Sequence, residues 1–321
     1  MIRFIARRVL YSVPVILIGS FVLFWAVRST FDPLAKLRLV NDPGAIQRAI
    51  ERMGLDRSIP EQYLIWLGSF VTGDWGTSSR TGTAVAPLIG EALGPTLQLA
   101  AIGLVIAVII AGGIGVFSAV RRYSVGDHVL TGASYIGIAM PAFWFGLILI
   151  QALAVWPREA FGLQDPPFYF IGLHSAGDTS PLDYLRHIVL PVSALMIALV
   201  ATWSRFGRAA MLDALSSDFV RTARAKGVPR RQIIWKHAVR NSLAPFVTVV
   251  ALDAAVLIGG LVVTEQIFAI PGMGRLFLQS LVAADVYVLL PWMIVVAIAV
   301  VLCNLLADIG YAILDPRVRL R

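Results

Sequence analysis

The chain has 321 residues, 58% of them hydrophobic and only 14% charged, with a net charge of +8. A soluble domain carries about a quarter charged residues, so a string of soluble domains is excluded once the apolar residues prove to be clustered. A pI of about 10.1 also suits nucleic acid binding, but basic loops beside membrane spans account for it directly.

The clustering is plain in chain order. No charge falls from Val9 to Val27, from Ala92 to Val120, from Val129 to Trp156 or from Ile188 to Ser204. The run Ser242 to Leu252 continues as Ala254 to Thr264, and Val286 to Ala307 completes the set. A bilayer core of about 30 Å needs about 20 apolar residues in a helix. Backbone groups in lipid must pair within their own segment, so each run is expected to be helical. The fold expected is all-α and polytopic, with six membrane spans. The first span follows Arg3, Arg7 and Arg8 as a signal peptide would. It is longer than a signal h-region and no small-x-small cleavage site follows, so it reads as an uncleaved anchor. The single cysteine, Cys303, lies in the last run and cannot form a disulfide within the chain.

Orientation follows from Lys and Arg. With both termini inside, the inner segments hold Arg3, Arg7, Arg8, Arg121, Arg122, the cations from Arg205 to Arg240, and the tail cations Arg317, Arg319 and Arg321. The short outer loops keep only Arg158, Arg186 and Arg275. The expectation is N-in and C-in. It divides the chain into an anchor helix over 1–31, an extracytoplasmic segment over 32–91 and a transmembrane domain over 92–321.

Within 32–91, Ile46, Ile50 and Met53 space as one face of a short helix closed by Gly54. A second amphipathic helix opens at Pro60, carries Tyr63, Leu64, Trp66, Leu67 and Phe70, and stops before Gly73. Gly112, Gly113 and Gly115 permit close helix approach. Pro141 removes a backbone bond inside the third run, as a packing kink or as a hinge. Residues 157–185 form a Pro- and Gly-rich loop.

Catalytic signatures are absent. There is no H-E-x-x-H, C-x-x-C, G-x-S-x-G or phosphate-binding loop. His128, His174, His187 and His237 are scattered between both sides of the expected topology and are not expected to form one metal site. The chain therefore reads as neither an enzyme nor a holder of metal or cofactor. If ATP drives it, another chain binds the ATP.

Two stretches stand apart. Over 211–241, "MLDALSSDFVRTARAKG" reads as a helix stopped at Gly227, and Pro229 suits the first turn of the next helix. The corner exposes Arg221, Arg224, Lys226, Arg230 and Arg231. Such a corner serves rigid docking to a partner, or a basic helix held on anionic lipid. The second stretch, "TEQIFAIPGMGRLF", puts Glu265 at the end of the fifth run, breaks the chain at Pro271 and Gly272, and turns Ile270 and Met273 toward an outer mouth. It is too apolar to lie free in water, so it seals that mouth or caps the spans. Asp253, inside the fifth run, is costly in lipid. It is expected to face the bundle interior, either along a path or in a structural hydrogen bond.

The first of these stretches, "RTARAKGVPRRQIIWKHAVRNSLAP", resembles the loop motif of binding-protein-dependent ABC importer permeases in their dipeptide/oligopeptide/nickel branch. Ala223, Gly227, His237, Arg240, Asn241 and Pro245 carry the match. Arg221 and Thr222 depart from the wider family's Glu-Ala-Ala opening but fit the branch. "TEQIFAIPGMGRL" and "GLDRSIPEQYLIWLGSFVTGDWGTSSRTGTAV" are similar to two more of its motifs, in the right order, and favour the B-type permease. The resemblance implies the type I ABC importer permease fold. It also implies that Arg221, Thr222, Ala223, Arg224, Ala225, Lys226, Gly227, Pro229, Arg230 and Arg231 form an ATPase-coupling loop. Implied partners are a second homologous permease, two ATPase subunits or one fused ATPase holding ATP and Mg, an extracytoplasmic substrate-binding protein, and membrane lipid, with no nucleic acid. The cargo implied is an oligopeptide or dipeptide, with nickel complexes, glutathione or heme as alternatives. A secondary transporter is the rival class, but no repeat of broken helices is visible.

Overall fold

The computed structural model describes residues 2–32, 34, 38 and 43–314. The tail cations Arg317, Arg319 and Arg321 lie outside the described residues. Among the described residues there is no strand, only an isolated bridge between Thr77 and Ala84. The helices are α1 (Ile2–Thr30), α2 (Pro43–Met53), α3 (Ile59–Val71), α4 (Val85–Val120), α5 (Val125–Ala139), α6 (Ala142–Ile150) and α7 (Trp156–Ala160). They continue as α8 (Pro181–Ser216), α9 (Asp218–Ala225), α10 (Arg230–Gln232), α11 (Arg240–Gly260), α12 (Val262–Ile267), α13 (Met273–Val282) and α14 (Val286–Leu314). Two π-helical stretches, Gln151–Val155 and Ile233–Val239, join α6 to α7 and α10 to α11.

Among the described residues four helices are long and apolar enough to cross a bilayer: Ala6–Thr30, Val85–Val120, Pro181–Ser216 and Val286–Leu305. The pair α5 and α6–α7 makes a fifth if taken as one span. The third expected span is thus not one kinked helix. It bends by 105° between Ala139 and Ala142. The cause is local. Met140 is extended, as a residue before proline prefers, and Pro141 starts the next helix with ψ 130°. α11 occupies the place of the remaining expected span.

The chain forms two compact units. One holds residues 1–96 and 271–302. Its largest cluster packs Val85, Ile89 and Ala92 of α4 against Met273, Leu276, Val288 and Trp292. A second cluster joins Phe24 and Val27 of α1 to Tyr63 of α3 and to Val286 and Leu290. Tyr63 and Ser20 exchange a buried hydroxyl hydrogen bond of 2.7 Å. α3 starts with a capping box. Both the amide and the hydroxyl of Ser58 donate to the Glu61 carboxylate, which holds its pKa below the usual range. The "GDWGTSS" turn is pinned by Asp285, whose Oδ2 accepts from the Ser78 hydroxyl at 2.5 Å and the Arg80 amide at 3.2 Å.

The other unit holds residues 97–270 and the chain from Cys303. Here Gly115 meets Gly207 as the small-residue pattern anticipates. A Cβ on Gly115 would come within 2.9 Å of backbone atoms of Gly207 and Arg208. Gly112 faces Phe246 more loosely, and a Cβ on Gly113 would touch nothing. The strongest polar tie joins α5 to α8. Arg208 clasps Asp127 with two bonds, Nε to Oδ1 at 2.9 Å and Nη2 to Oδ2 at 2.8 Å. The Tyr123 amide donates to the same carboxylate. Large apolar side chains on α1 stay exposed, Leu10 at 70% and Ile18 at 66%. In a membrane such surface faces lipid or another protein.

The clasp predicts a measurable asymmetry. Arg208→Met should cost about 3 kcal/mol, the low edge for a broken buried pair, because the Arg208 side chain keeps 27% of its exposure. Adding Asp127→Leu should recover most of the loss. Thermal denaturation of the two variants and wild type in detergent reads the difference; equal loss in single and double variants would contradict it.

Candidate functional site

The corner after α9 is closed by a complete Schellman motif. The Gly227 amide donates to the Arg224 carbonyl at 3.0 Å, and the Val228 amide to the Ala223 carbonyl at 3.1 Å. Gly227 has φ +74°, and a Cβ built on it would meet nothing within 4 Å. Backbone conformation, not space, therefore demands glycine there. Val228 completes the motif by packing onto the small core of Val220, Ala223 and Ile233. Pro229 stands one step before the position expected of it. It caps the next helix, its carbonyl accepting from the Ile233 amide at 3.1 Å.

This inner packing leaves the outer surface to the cations. Arg221, Thr222, Arg224, Ala225, Lys226, Gly227, Pro229, Arg230 and Arg231 are exposed, and Ala223 is buried. Asp218 lies 3.6 Å from Arg221, with both side chains in water. Such a pair adds little stability. Arg224 and Arg230 border a recess floored by Ala119, Val120, Leu215 and Ile233. Phe219, 42% exposed, and Trp235, 62% exposed, flank the same region. Sequence reasoning did not single out these two aromatics. Their spacing from the cations was visible, but their outward facing depends on which side of each helix the core takes.

The motif residues His237 and Asn241 serve the π-helical stretch after the corner. Asn241 Nδ2 donates to the His237 carbonyl at 2.7 Å. A widened turn leaves carbonyls poorly matched, and a side-chain donor one turn on repairs one of them.

Elsewhere the picture differs from the spacing argument. Asp253 does turn inward, half-buried, with Oδ2 accepting from the indole of fully buried Trp203 at 2.6 Å. Glu265 follows the end of α11 within α12, and its side chain is fully buried. Ile270 and Met273 are likewise fully buried, and do not point into an open mouth. Ile270 sits in an apolar cluster with Phe268, Leu99 and Leu190, and Met273 in the cluster of Val85 and Trp292. Met273 is held further through its backbone, its amide donating to Thr96 Oγ1 at 2.7 Å and its carbonyl accepting from Trp292 Nε1 at 2.8 Å. The break itself begins earlier than Pro271–Gly272. Ala269, at φ +51°, already closes α12 with the Ile270 amide bonded to the Glu265 carbonyl at 2.9 Å. Pro271 is exposed and Gly272 buried, with Gly272 starting α13.

Two of the four histidines, from the loop after α7 and the start of α8, come together at one carboxylate. His174 and His187 each place Nδ1 3.5 Å from the Asp183 carboxylate. Among the described residues no group of three or more candidate ligands is suited to a metal.

The Trp203–Asp253 bond predicts a graded response. Asp253→Asn keeps an acceptor for the indole and should change stability little. Asp253→Leu strands a buried N–H and should cost about 1–3 kcal/mol. Thermal denaturation followed by tryptophan fluorescence checks both; equal loss from the two substitutions would contradict the hydrogen-bonding role.

With this geometry in hand, the comparisons are direct. The family model described as "Binding-protein-dependent transport system inner membrane component" matches residues 111–320, and its N-terminal companion matches residues 1–102. The oligopeptide transport system permease protein AppB of Bacillus subtilis is 40% identical, covering 99% of both chains. The permease OppB of Mycobacterium bovis is 35% identical over 99% of both, and DppB of Alkalihalophilus pseudofirmus 33% identical over 99% of this chain and 100% of its own. Among solved structures, an inward-facing MetNI methionine ABC transporter chain aligns with TM-score 0.54 at 17% identity, covering 71% of this chain and 96% of that one. The last likeness shows the fold, and the sequence matches span the whole chain. The protein belongs to the family of binding-protein-dependent transport system inner membrane components.

Proposed function

We propose that this chain is one permease subunit of an ATP-driven importer, forming half of a path for oligopeptides or dipeptides handed over by an extracytoplasmic binding protein. The named functions of its relatives support the cargo class. The proposed topology has six spans with both termini inside. A second homologous permease completes the path, and two ATPase subunits, or one fused ATPase, carry the ATP and Mg that this chain has no motif to hold.

The observation that carries the reading is the corner at Gly227. A Schellman closure packed on Val220, Ala223 and Ile233 turns two helices into one stiff bracket. Its outer face offers exposed cations beside exposed Phe219 and Trp235. Aromatic anchors with a charged rim suit docking to a protein groove, where the charges set orientation more than affinity. A bracket transmits displacement from an ATPase to α8 and α11, which continue directly from it. The stretch from Glu265 to Met273 takes a different part. The burial of Ile270 and Met273 favours a cap over the ends of spans rather than a mobile plug.

Gly227→Val forces a β-branched residue into φ > 0, at a local cost of about 1–2 kcal/mol. The expected outcome in the reconstituted complex is retained assembly, loss of binding-protein stimulation of ATP turnover, and loss of peptide uptake; Gly227→Asn should keep most of both. Stimulated turnover and uptake at wild-type levels in Gly227→Val would overturn the docking role. Lower yield with full coupling in whatever assembles would reduce Gly227 to a helix stop.

A further inference from the structure

In the unit built from residues 1–96 and 271–302, a cavity of about 160 Å³ opens beside the C-terminal half of α1. Phe24, Trp66, Trp75 and Tyr287 line it, and Arg28 and Gln62 supply its polar end. The aromatic wall is organised. Phe24 and Trp66 rings lie 5.5 Å apart, Trp66 and Phe70 5.6 Å, and Phe70 stacks on Trp75 at 4.9 Å with 8° between planes. The Trp75 indole is fixed by donation to the Phe70 carbonyl at 2.9 Å. Gly76, at φ +77°, lets the chain pass where a Cβ would come within 3.1 Å of the Tyr287 ring.

The polar end is incomplete. Arg28 Nε donates to Gln62 Oε1 at 3.1 Å, and the Gln62 amide is itself engaged with the Arg57 carbonyl at 2.8 Å. Arg28 Nη1 is buried and has no hydrogen-bond partner among the described residues. Asp32 acts on Arg28 through its charge without bonding Nη1, and its carboxylate also lies 3.6 Å from Arg38. Asp74, exposed on the rim, accepts from the Gly76 amide. A buried guanidinium N–H without an acceptor is costly, and an anion offers the strongest remedy.

We propose that this cavity binds a monocarboxylate carried on one ring-sized apolar group, the carboxylate taking Arg28 and the apolar group lying against Trp66 and Trp75. Size supports one ring: an engineered cavity of about 150 Å³ accommodates benzene. Charge supports no more than a single negative group, because Arg28 is the one cation lining the cavity among the described residues and Asp74 on the rim would repel a second negative charge. Two sources share this chemistry, the C-terminal residue of a peptide and a free organic acid. The peptide source rests on the transport reading above; the site does not.

The test uses the complete transporter with its partner subunits in nanodiscs of zwitterionic lipid, without binding protein. Four probes are compared by saturation-transfer NMR and tryptophan fluorescence: 3-phenylpropionate, its amide, Gly-Gly-Phe and Gly-Gly-Phe amide. Each acid should bind about tenfold or more tightly than its amide, the loss expected for one charge-assisted bond. Arg28→Gln should erase that preference, Arg28→Lys should keep part of it, and Trp75→Ala should weaken both acids. Binding of phenylpropionate without Gly-Gly-Phe keeps the site and removes the peptide source. Equal binding of acid and amide to wild type overturns the proposal, and that comparison decides even if Arg28→Gln does not assemble. Loss of acid binding when phosphatidylglycerol replaces neutral lipid also overturns it, assigning the cavity to a lipid headgroup.

Discussion

A backbone amide or carbonyl out of reach of water must find a partner inside the protein, and that one constraint shapes every break in this chain. Continuous helix satisfies it along most of the sequence. Where the helix stops, the same local device recurs. Gly54, Gly73, Gly162 and Gly227 each close a helix with paired bonds back to its last carbonyls, and Ala269 and Ala284 do so without glycine. Chain ends that would be loose in a loop are thereby returned to the helix that made them. Side chains supply what the backbone cannot: Thr96 and Trp292 on Met273, and Asn241 on His237.

The corner and the stretch around Pro271 show two uses of that device. At Gly227 the closure is followed by polar, exposed chain, so the corner is stiff within and available without. At Ala269 it is followed by buried Ile270 and then by Met273, locked through both backbone groups. Similar local geometry thus serves an interaction surface in one place and a fixed seam in the other. The difference lies in the residues that come next, cations in the first case and large apolar side chains in the second.

Much of this was legible in the sequence, and the reasons differ by residue. Uncharged runs announce spans because lipid excludes charge. Gly227 before Pro229 announces a corner because glycine and proline write their conformations into the chain. Pro141 announced a disturbance but not its size, since the 105° bend depends on how α5 and α6 pack after the break. Ala269 and Ala284 were silent, because alanine at positive φ is held there by surrounding packing rather than by its own preference. Ile270 and Met273 were expected to turn toward an outer mouth at the break of Pro271–Gly272. Their burial follows from clusters assembled from distant segments, which no local spacing reveals. The same applies to Trp203 with Asp253, and to His174 and His187 meeting at Asp183. Arg28 carried no signal in the sequence, because its environment beside Gln62 exists only once α3 has folded against α1.

The π-helical stretch Ile233–Val239 lies between the corner and the half of α11 that carries Asp253. A widened turn holds one residue more than an α-turn. Along a rigid rod that extra residue acts as a phase setting, fixing how one end is rotated against the other. Removing one residue between 234 and 239 would turn Asp253 by about 100° about the helix axis relative to the corner. The indole of Trp203 would lose its acceptor, while the local chemistry of the corner stayed intact. The angular relation between the exposed bracket and the buried interior is therefore carried by the residue count of this stretch, which constrains its length beyond the buried side chains of Ile233 and Ala238.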